Sequence, residues 1–412
     1  MIGEEIVNKC LICNTLIEPF MSLGRMPIAN GFLSPAQFAD EYFFELQVAF
    51  CPDCGMVQLT QQVEPEKMFH ENYAFFSSTS TKMATHFKRL ADLLMKNYLK
   101  SPNPFVVEIG SNDGIMLQHF ANAGLRHLGI EPSRNVAQEA INKGIQTVCR
   151  FFDESVAREI LAEHGQADVF LGANVMCHIP QLHSVVAGIK ILLKPNGLLI
   201  FEDPYLGDII EKTSYDQFYD EHVFYFSVKS ISHLVEQHGL EVVDVIPQDV
   251  HGGSMRYMVA HKGARIVSEA VDRRLSKEEV LGLHMPETYH YMHQAIEQSR
   301  NDLMRLLHDL RRKKKRVVGY GATSKSTTVT NYCGITPELV EYFSDITPIK
   351  QGKFSPGAHI PVRPYEEFVT NYPDYALLFA WNHAAEILAK ERNFRSAGGK
   401  WLMYVPRVEV LE

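Results

Sequence analysis

Short apolar runs that end in polar turns recur through the middle of the chain. Phe105-Val106-Val107-Glu108-Ile109 closes on a glycine turn and predicts a buried parallel strand. His127-Leu128-Gly129-Ile130, Asp168-Val169-Phe170-Leu171 and Gly197-Leu198-Leu199-Ile200-Phe201 repeat the pattern, with helix-like segments between them. Leu240 to Val245 and Arg256 to Ala260 are placed to close the sheet as an antiparallel pair. Alternation of this kind predicts a doubly wound α/β unit, with its ligand crevice at the carboxyl ends of the strands. A long polar helical stretch follows, roughly Ser276 to Lys315, and then a second strand–helix alternation begins at Arg316. The chain thus divides into residues 1–80, 81–265 and 266–412.

Composition narrows the class. At roughly 150 residues per domain, 412 residues suit two or three domains. Hydrophobic content of 46% and charged content of 22% are those of a globular protein. A formal net charge of -9 argues against a nucleic-acid binder, which needs basic surface for phosphates. The N-terminal MIGEEIVNKC lacks a basic, then apolar, leader, and no apolar run is long enough to span a bilayer. A cytoplasmic protein without a membrane partner is expected. Its seven cysteines are then ligands or buried thiols before they are disulfides.

Four of the seven form two Cys-x-x-Cys pairs, Cys10 with Cys13 and Cys51 with Cys54. Four thiolates make the closed tetrahedral site that structural zinc prefers, with no open position for chemistry. The long spacer leaves room for an inserted loop. A set of unrelated buried thiols is the plainer alternative. A redox pair fits less well, because neither pair starts a helix after a strand.

Glu108-Ile109-Gly110-Ser111-Asn112-Asp113-Gly114 is a second signal. Gly110 and Gly114 would let the backbone pass close to a cofactor. The next strand ends in Glu131, where a carboxylate can accept both hydroxyls of a ribose. The loop lacks the middle glycine of a dinucleotide fingerprint. Glu108 and Asp113 suit the cationic sulfonium of S-adenosylmethionine (SAM) better than a diphosphate. A glycine turn that binds nothing remains the alternative.

Other polar clusters stand where strands end. Asn174 to Pro180 follows the strand at Asp168, so Asn174 would touch the cofactor and His178 would face the substrate. Tyr219-Asp220-Glu221-His222 precedes an aromatic run. It is either a proton-transfer cluster, with a carboxylate orienting the histidine, or a loop capping a helix at Ser227. Tyr73, in an aromatic and hydroxyl-rich stretch, belongs to a lid or to a linker. Gly252-Gly253-Ser254-Met255-Arg256 would meet substrate phosphates, or form a turn with a surface arginine. In the third region Gly321, Thr323, Ser324, Lys325 and Ser326 open a helix suited to a diphosphate. Asp345 ends a second strand there and suits a nucleoside, and Asn382 and His383, which follow a later strand, are further substrate-binding candidates. The basic run Arg311 to Arg316 reads as a solvated helix end.

Taken in order, these motifs resemble those of the zinc-containing sugar C-methyltransferases that act at C-3 of dTDP-linked keto-deoxysugars. The resemblance runs nearly the whole chain, through the cysteine pairs, E-I-G-S-N-D-G, C-H-I-P, Y-D-E-H-V-F-Y-F-S, G-G-S-M-R and G-Y-G-A-T-S-K. It implies an α/β fold in three parts. These are an N-terminal zinc-binding domain, a class I SAM-dependent methyltransferase domain and a second Rossmann-like domain that helps to bind the nucleotide sugar. It also implies that Tyr73, His178, Tyr219, Glu221 and His222 surround the sugar. His222 is then the candidate base, with Glu221 and Tyr219 orienting it or stabilising an enolate. An O- or N-methyltransferase on a similar nucleotide sugar, or a non-catalytic nucleotide-sugar-binding protein, are the competing readings. A zinc-ribbon RNA methyltransferase conflicts with the net charge.

Overall fold

The computed structural model describes residues 8–68, 77 and 81–411. Three sheets organise them. The central sheet has seven strands, in the order Leu240–Gln248, Ser254–His261, Leu193–Pro204, Ala167–Ala173, Phe105–Ile109, Arg126–Ile130 and Thr147–Val148. Its middle strands are parallel and fully buried, which is why they read as continuous apolar runs. Leu240–Gln248 and Ser254–His261 close the sheet as the expected antiparallel pair. From Phe105–Ile109 the chain goes first to one side of the sheet and then to the other, so the switch point lies at the end of that strand.

The C-terminal sheet has six strands, in the order Val362–Pro364, Phe343–Asp345, Val317–Tyr320, Tyr375–Leu378, Lys400–Met403 and Glu409–Leu411. All its pairings are parallel except the last. The polar helical stretch before it is two helices, Glu269–Leu281 and Pro286–Arg312, and not one. Gly282 ends the first in a left-handed cap, and Pro286 starts the second where its missing N–H costs nothing. The second helix buries Tyr289, Met292, Ile296, Leu303, Leu307 and Leu310 as one stripe. Its Tyr289 ring stacks on Phe50 with centroids 4.4 Å apart, so the helix ties the first region to the third.

The first region is a four-stranded antiparallel sheet, in the order Pro19–Pro27, Phe43–Phe50, Val57–Leu59 and Phe224–Tyr225. Its fourth strand therefore comes from the middle of the chain. The spacer between the cysteine pairs forms the first two of these strands and is not a loop. At the end of that hairpin the cysteine knuckles face each other. Cys10 Sγ lies 3.5 Å from Cys54 Sγ, and Cys13 Sγ lies 3.3 Å from Cys51 Sγ. All four sulfurs fall within 4.8 Å of one another, the spread that tetrahedral Zn–S bonds of about 2.3 Å require. Each knuckle turns through one left-handed residue, Asn14 in the first and Gly55 in the second. Zinc fits this set, and its part is structural. No helix among the described residues is long and apolar enough to cross a membrane.

Zinc clamps the sheet on which Phe224–Tyr225 is the edge strand, so its removal should be felt there. Cys51→Ser should lose the bound zinc of wild-type protein and raise amide hydrogen exchange at Val223 to Tyr225. Metal analysis with exchange mass spectrometry reads both. Equal zinc content in the two proteins would contradict the four-thiolate assignment.

Candidate active site

A cavity of about 480 Å³ opens at the switch point of the central sheet. Ile109, Gly110, Asn112, Glu131, Asn174 and His178 line it, as the strand-end reading expects. The Glu131 carboxylate is buried and fixed by backbone amides. Its Oε2 accepts from Asn112 N at 3.0 Å, and its Oε1 accepts from Ser133 N at 2.8 Å. Burial raises its pKa, against those two bonds. Asn174 holds a left-handed backbone, and its buried Oδ1 has no partner among the described residues. An orphaned acceptor and an anchored carboxylate facing one cavity fit a polar, nucleoside-like guest.

Packing within the chain also bears on the loop glycines. A Cβ on Gly110, at φ 58°, would stand 2.6 Å from Val175 Cγ2, and one on Gly114 would strike Ile145. Protein packing, with a left-handed φ, excludes side chains there. Glu108 and Asp113 lie outside the cavity lining. Asp113 pairs with Lys143 at 3.2 Å. Glu108 is buried, and desolvation, then Glu131 and Asp113, push its carboxyl well up.

Beyond His178 the site continues into residues 215–222. His222 is buried, and its ring stacks against that of His178 with centroids 5.2 Å apart. His222 Nδ1 lies 3.0 Å from the Gln217 carbonyl oxygen. A carbonyl only accepts, so Nδ1 carries the hydrogen and Nε2 keeps a lone pair, to which Tyr219 OH donates at 2.7 Å. Burial, then His178 and Lys325, hold His222 well below the ordinary histidine range, and burial pushes His178 down to about 4. Both imidazoles are neutral at neutral pH. The orienting group expected in Glu221 is thus the Gln217 backbone carbonyl. Glu221 faces the first region, where Oε1 accepts from Asn30 Nδ2 at 2.6 Å. Asp220 beside it accepts from Ala29 N at 2.9 Å. Tyr73 lies outside the described residues.

The third region meets the same segment. Lys325 Nζ donates to Gln217 Oε1 at 3.0 Å and lies 5.9 Å from the Tyr219 ring centroid. Thr323 and Ser326 cap each other at the helix start, so Ser326 is buried and taken up internally. Asp345 accepts from Ala322 N and Thr347 N, both at 2.7 Å, and so staples the Gly321 loop. Ser324 is the first residue of the helix, and Asn382 and His383 lie on the turn Trp381–His383. From that turn Trp381 Nε1 donates to the buried Asp216 at 2.6 Å.

Ser254 and Arg256 take partners within the chain. Ser254 Oγ donates to Val250 O at 3.2 Å. Arg256 is buried, and its Nε donates to Glu202 Oε1 at 2.5 Å across the antiparallel register. His86 Nε2 lies 2.6 Å from the other oxygen of Glu202. A guanidinium engaged this way fixes the strand end from which Glu202 O accepts the Asn174 amide. The sequence reading missed Gln217, His251, Asn30, Glu202 and His86. None stands in a motif of its own.

Three family models match the chain. They are described as "Putative zinc binding domain" over residues 10–69, "Methyltransferase domain" over 82–245 and "C-methyltransferase C-terminal domain" over 249–406. The C-methyltransferase NovU of Streptomyces niveus is 35% identical over 409 residues, covering 98% of this chain and 97% of its own. A ubiquinone biosynthesis O-methyltransferase of Burkholderia thailandensis is 23% identical over 198 residues, covering 42% of this chain and 83% of its own. Magnesium protoporphyrin IX methyltransferase of Synechocystis PCC 6803, solved with bound SAH, aligns at a TM-score of 0.34 and 15% identity, over 43% of this chain and 83% of that one.

If Arg256 serves the fold, its loss is a stability loss. Arg256→Met should cost about 3–5 kcal/mol of stability, since it leaves Glu202 buried with one partner fewer. Denaturant titration measures it. Unchanged stability with weakened acceptor binding would contradict the assignment.

Proposed function

The chain belongs to the C-methyltransferases and uses SAM, and from that premise we propose that it methylates C-3 of a dTDP-linked 4-keto-deoxysugar through an enolate. The observation that carries the proposal is the buried Tyr219–His222–Gln217 chain, a neutral imidazole with its tautomer fixed and one basic lone pair kept. Methylating a hydroxyl or an ammonium also releases a proton, but from a heteroatom that already owns a lone pair. A ring carbon becomes nucleophilic only after losing a proton. A ketone at C-4 makes that possible, because the charge left at C-3 spreads onto the C-4 oxygen.

In this reading His222 Nε2 takes the C-3 proton, and the C–H electron pair becomes the enolate. Tyr219, displaced from Nε2 as the proton arrives, turns its hydroxyl to the developing oxyanion. His178, neutral and lining the cavity, donates to the same oxygen. Bound SAM supplies an electrophilic methyl group and keeps the S–CH3 electron pair on sulfur. The C-4 carbonyl then re-forms, and His222 gives its proton to solvent. Glu131, whose oxygens each retain a lone pair beyond the amide they hold, takes the ribose hydroxyls of the cofactor, with Asn174 beside it. Lys325, Ser324, Asp345, Asn382 and His383 receive the nucleotide in this reading. Glu221 fixes the base segment against the first region through Asn30.

His222→Asn keeps a polar side chain of similar size without the basic nitrogen. It should lower turnover by roughly 10²-fold or more, the usual range for a general base. In heavy water, with S-adenosylhomocysteine in the cofactor site, the wild-type protein should wash deuterium into C-3 and the variant should do so far more slowly. Because burial depresses both histidines, their neutral forms persist as pH falls past the ordinary value of about 6.5. The acidic limb of the exchange rate should therefore lie below that value. A wild-type rate in the variant, or a limb at about 6.5, would rule out His222 in this role.

A further inference from the structure

His251 lines the same cavity as His178. It lies on the connection between Leu240–Gln248 and Ser254–His261, and its backbone is held at φ 53°. A left-handed histidine is strained, and strain of this kind persists only where the surroundings over-determine it. Here Gln217 does so, since its Nε2 donates to the His251 carbonyl oxygen at 2.6 Å. The same Gln217 holds Lys325 through Oε1 and sets the His222 tautomer through its own carbonyl. Three polar groups from three separate stretches of chain are thus fixed by one buried residue.

The position of His251 is what distinguishes it. His222 and Tyr219 do not line the cavity, whereas His251 does. The charges of Lys325, His383, Glu202 and His86 reach it, and its own reaches His222. It therefore joins the cavity wall to the segment that carries His222, with Gln217 bonded to both. Burial first, then Lys325 and His383, push its imidazole down to about 3. A neutral ring of this kind offers one N–H donor and one acceptor.

We infer that His251 is a further acceptor-binding residue, whose neutral imidazole donates a hydrogen bond to a ring oxygen substituent beside the carbon that is methylated. The contact turns that carbon toward the donor end of the cavity. This inference rests on the C-3 methylation reading above.

The left-handed backbone supplies a clean test. Glycine adopts φ 53° without strain, so His251→Gly deletes the imidazole while leaving the loop free to keep its conformation. Asparagine, also tolerant of this region, is the second variant in case the glycine protein folds poorly. With SAM and a dTDP-4-keto-6-deoxysugar, either variant should lose about tenfold or more in kcat, with a smaller change in acceptor KM. Its calorimetric affinity for S-adenosylhomocysteine should stay within about twofold, because the lost group faces the acceptor. Added imidazole should restore part of the His251→Gly rate and of C-3 deuterium exchange. A merely structural role would not give that rescue. Wild-type kcat in both variants would overturn the inference. So would a loss of S-adenosylhomocysteine affinity parallel to the loss of rate, with no rescue, which would make His251 a wall of the cofactor pocket. A wild-type protein that methylates without ever exchanging C-3, and places the methyl off carbon, would overturn the parent reading and this contact with it.

Discussion

A buried stretch with almost no regular structure, residues 214–227, has to find outside itself the hydrogen-bond partners that a helix or sheet would have supplied. All three regions of the chain meet that demand. Phe224–Tyr225 pairs with Val57–Leu59, and Leu59 N donates to Val223 O at 2.9 Å. Thr328 Oγ1, from the C-terminal region, donates to Phe218 O at 2.8 Å. Trp381 and Tyr404 both donate to Asp216 at 2.6 Å, and Ala29 N donates to Asp220. A buried polar group left unmet costs about 1–3 kcal/mol, so these bonds fix the segment and, with it, the way the three regions meet. Within the segment so held, the Gln217 carbonyl sets the His222 tautomer.

That constraint gives the zinc a part in the chemistry without touching it. No cysteine of the cluster lines the cavity. The four thiolates instead close the end of the sheet whose outer ladder holds the residues after His222. The C-terminal helix Ser324–Cys333 works in the same manner, reaching the segment through Lys325 and Thr328 and the first region through Thr327 to Ala29 O at 2.8 Å. A segment held from several sides keeps its geometry while ligands come and go.

What the sequence made legible was local. The cysteine spacing, the glycine turn after Phe105–Ile109 and the acid ending the next strand all lie within one or two elements, and periodicity places them. Gly282 and Pro286 carried the helix break in plain sight, although the polar run hid it. The pairings that decide roles were out of reach. Asn30 and Glu221 are 191 residues apart, Lys325 and Gln217 are 108 apart, and Arg256 and Glu202 are 54 apart. Neighbours in sequence suggested that Glu221 orients His222, whereas the fold turns the two side chains to different partners. His251 carried one usable signal, a histidine just before a glycine pair in a hairpin connection.

The account stands or falls on where the methyl group goes. Wild-type protein incubated with SAM carrying a ¹³C-labelled methyl and a dTDP-4-keto-6-deoxysugar should give a single labelled product. Its ¹³C nuclear magnetic resonance signal should be that of a methyl on carbon, coupled directly to C-3 when the sugar is labelled there too. A label bonded to oxygen or nitrogen would contradict the account, because no proton would then have to leave carbon and no enolate would form.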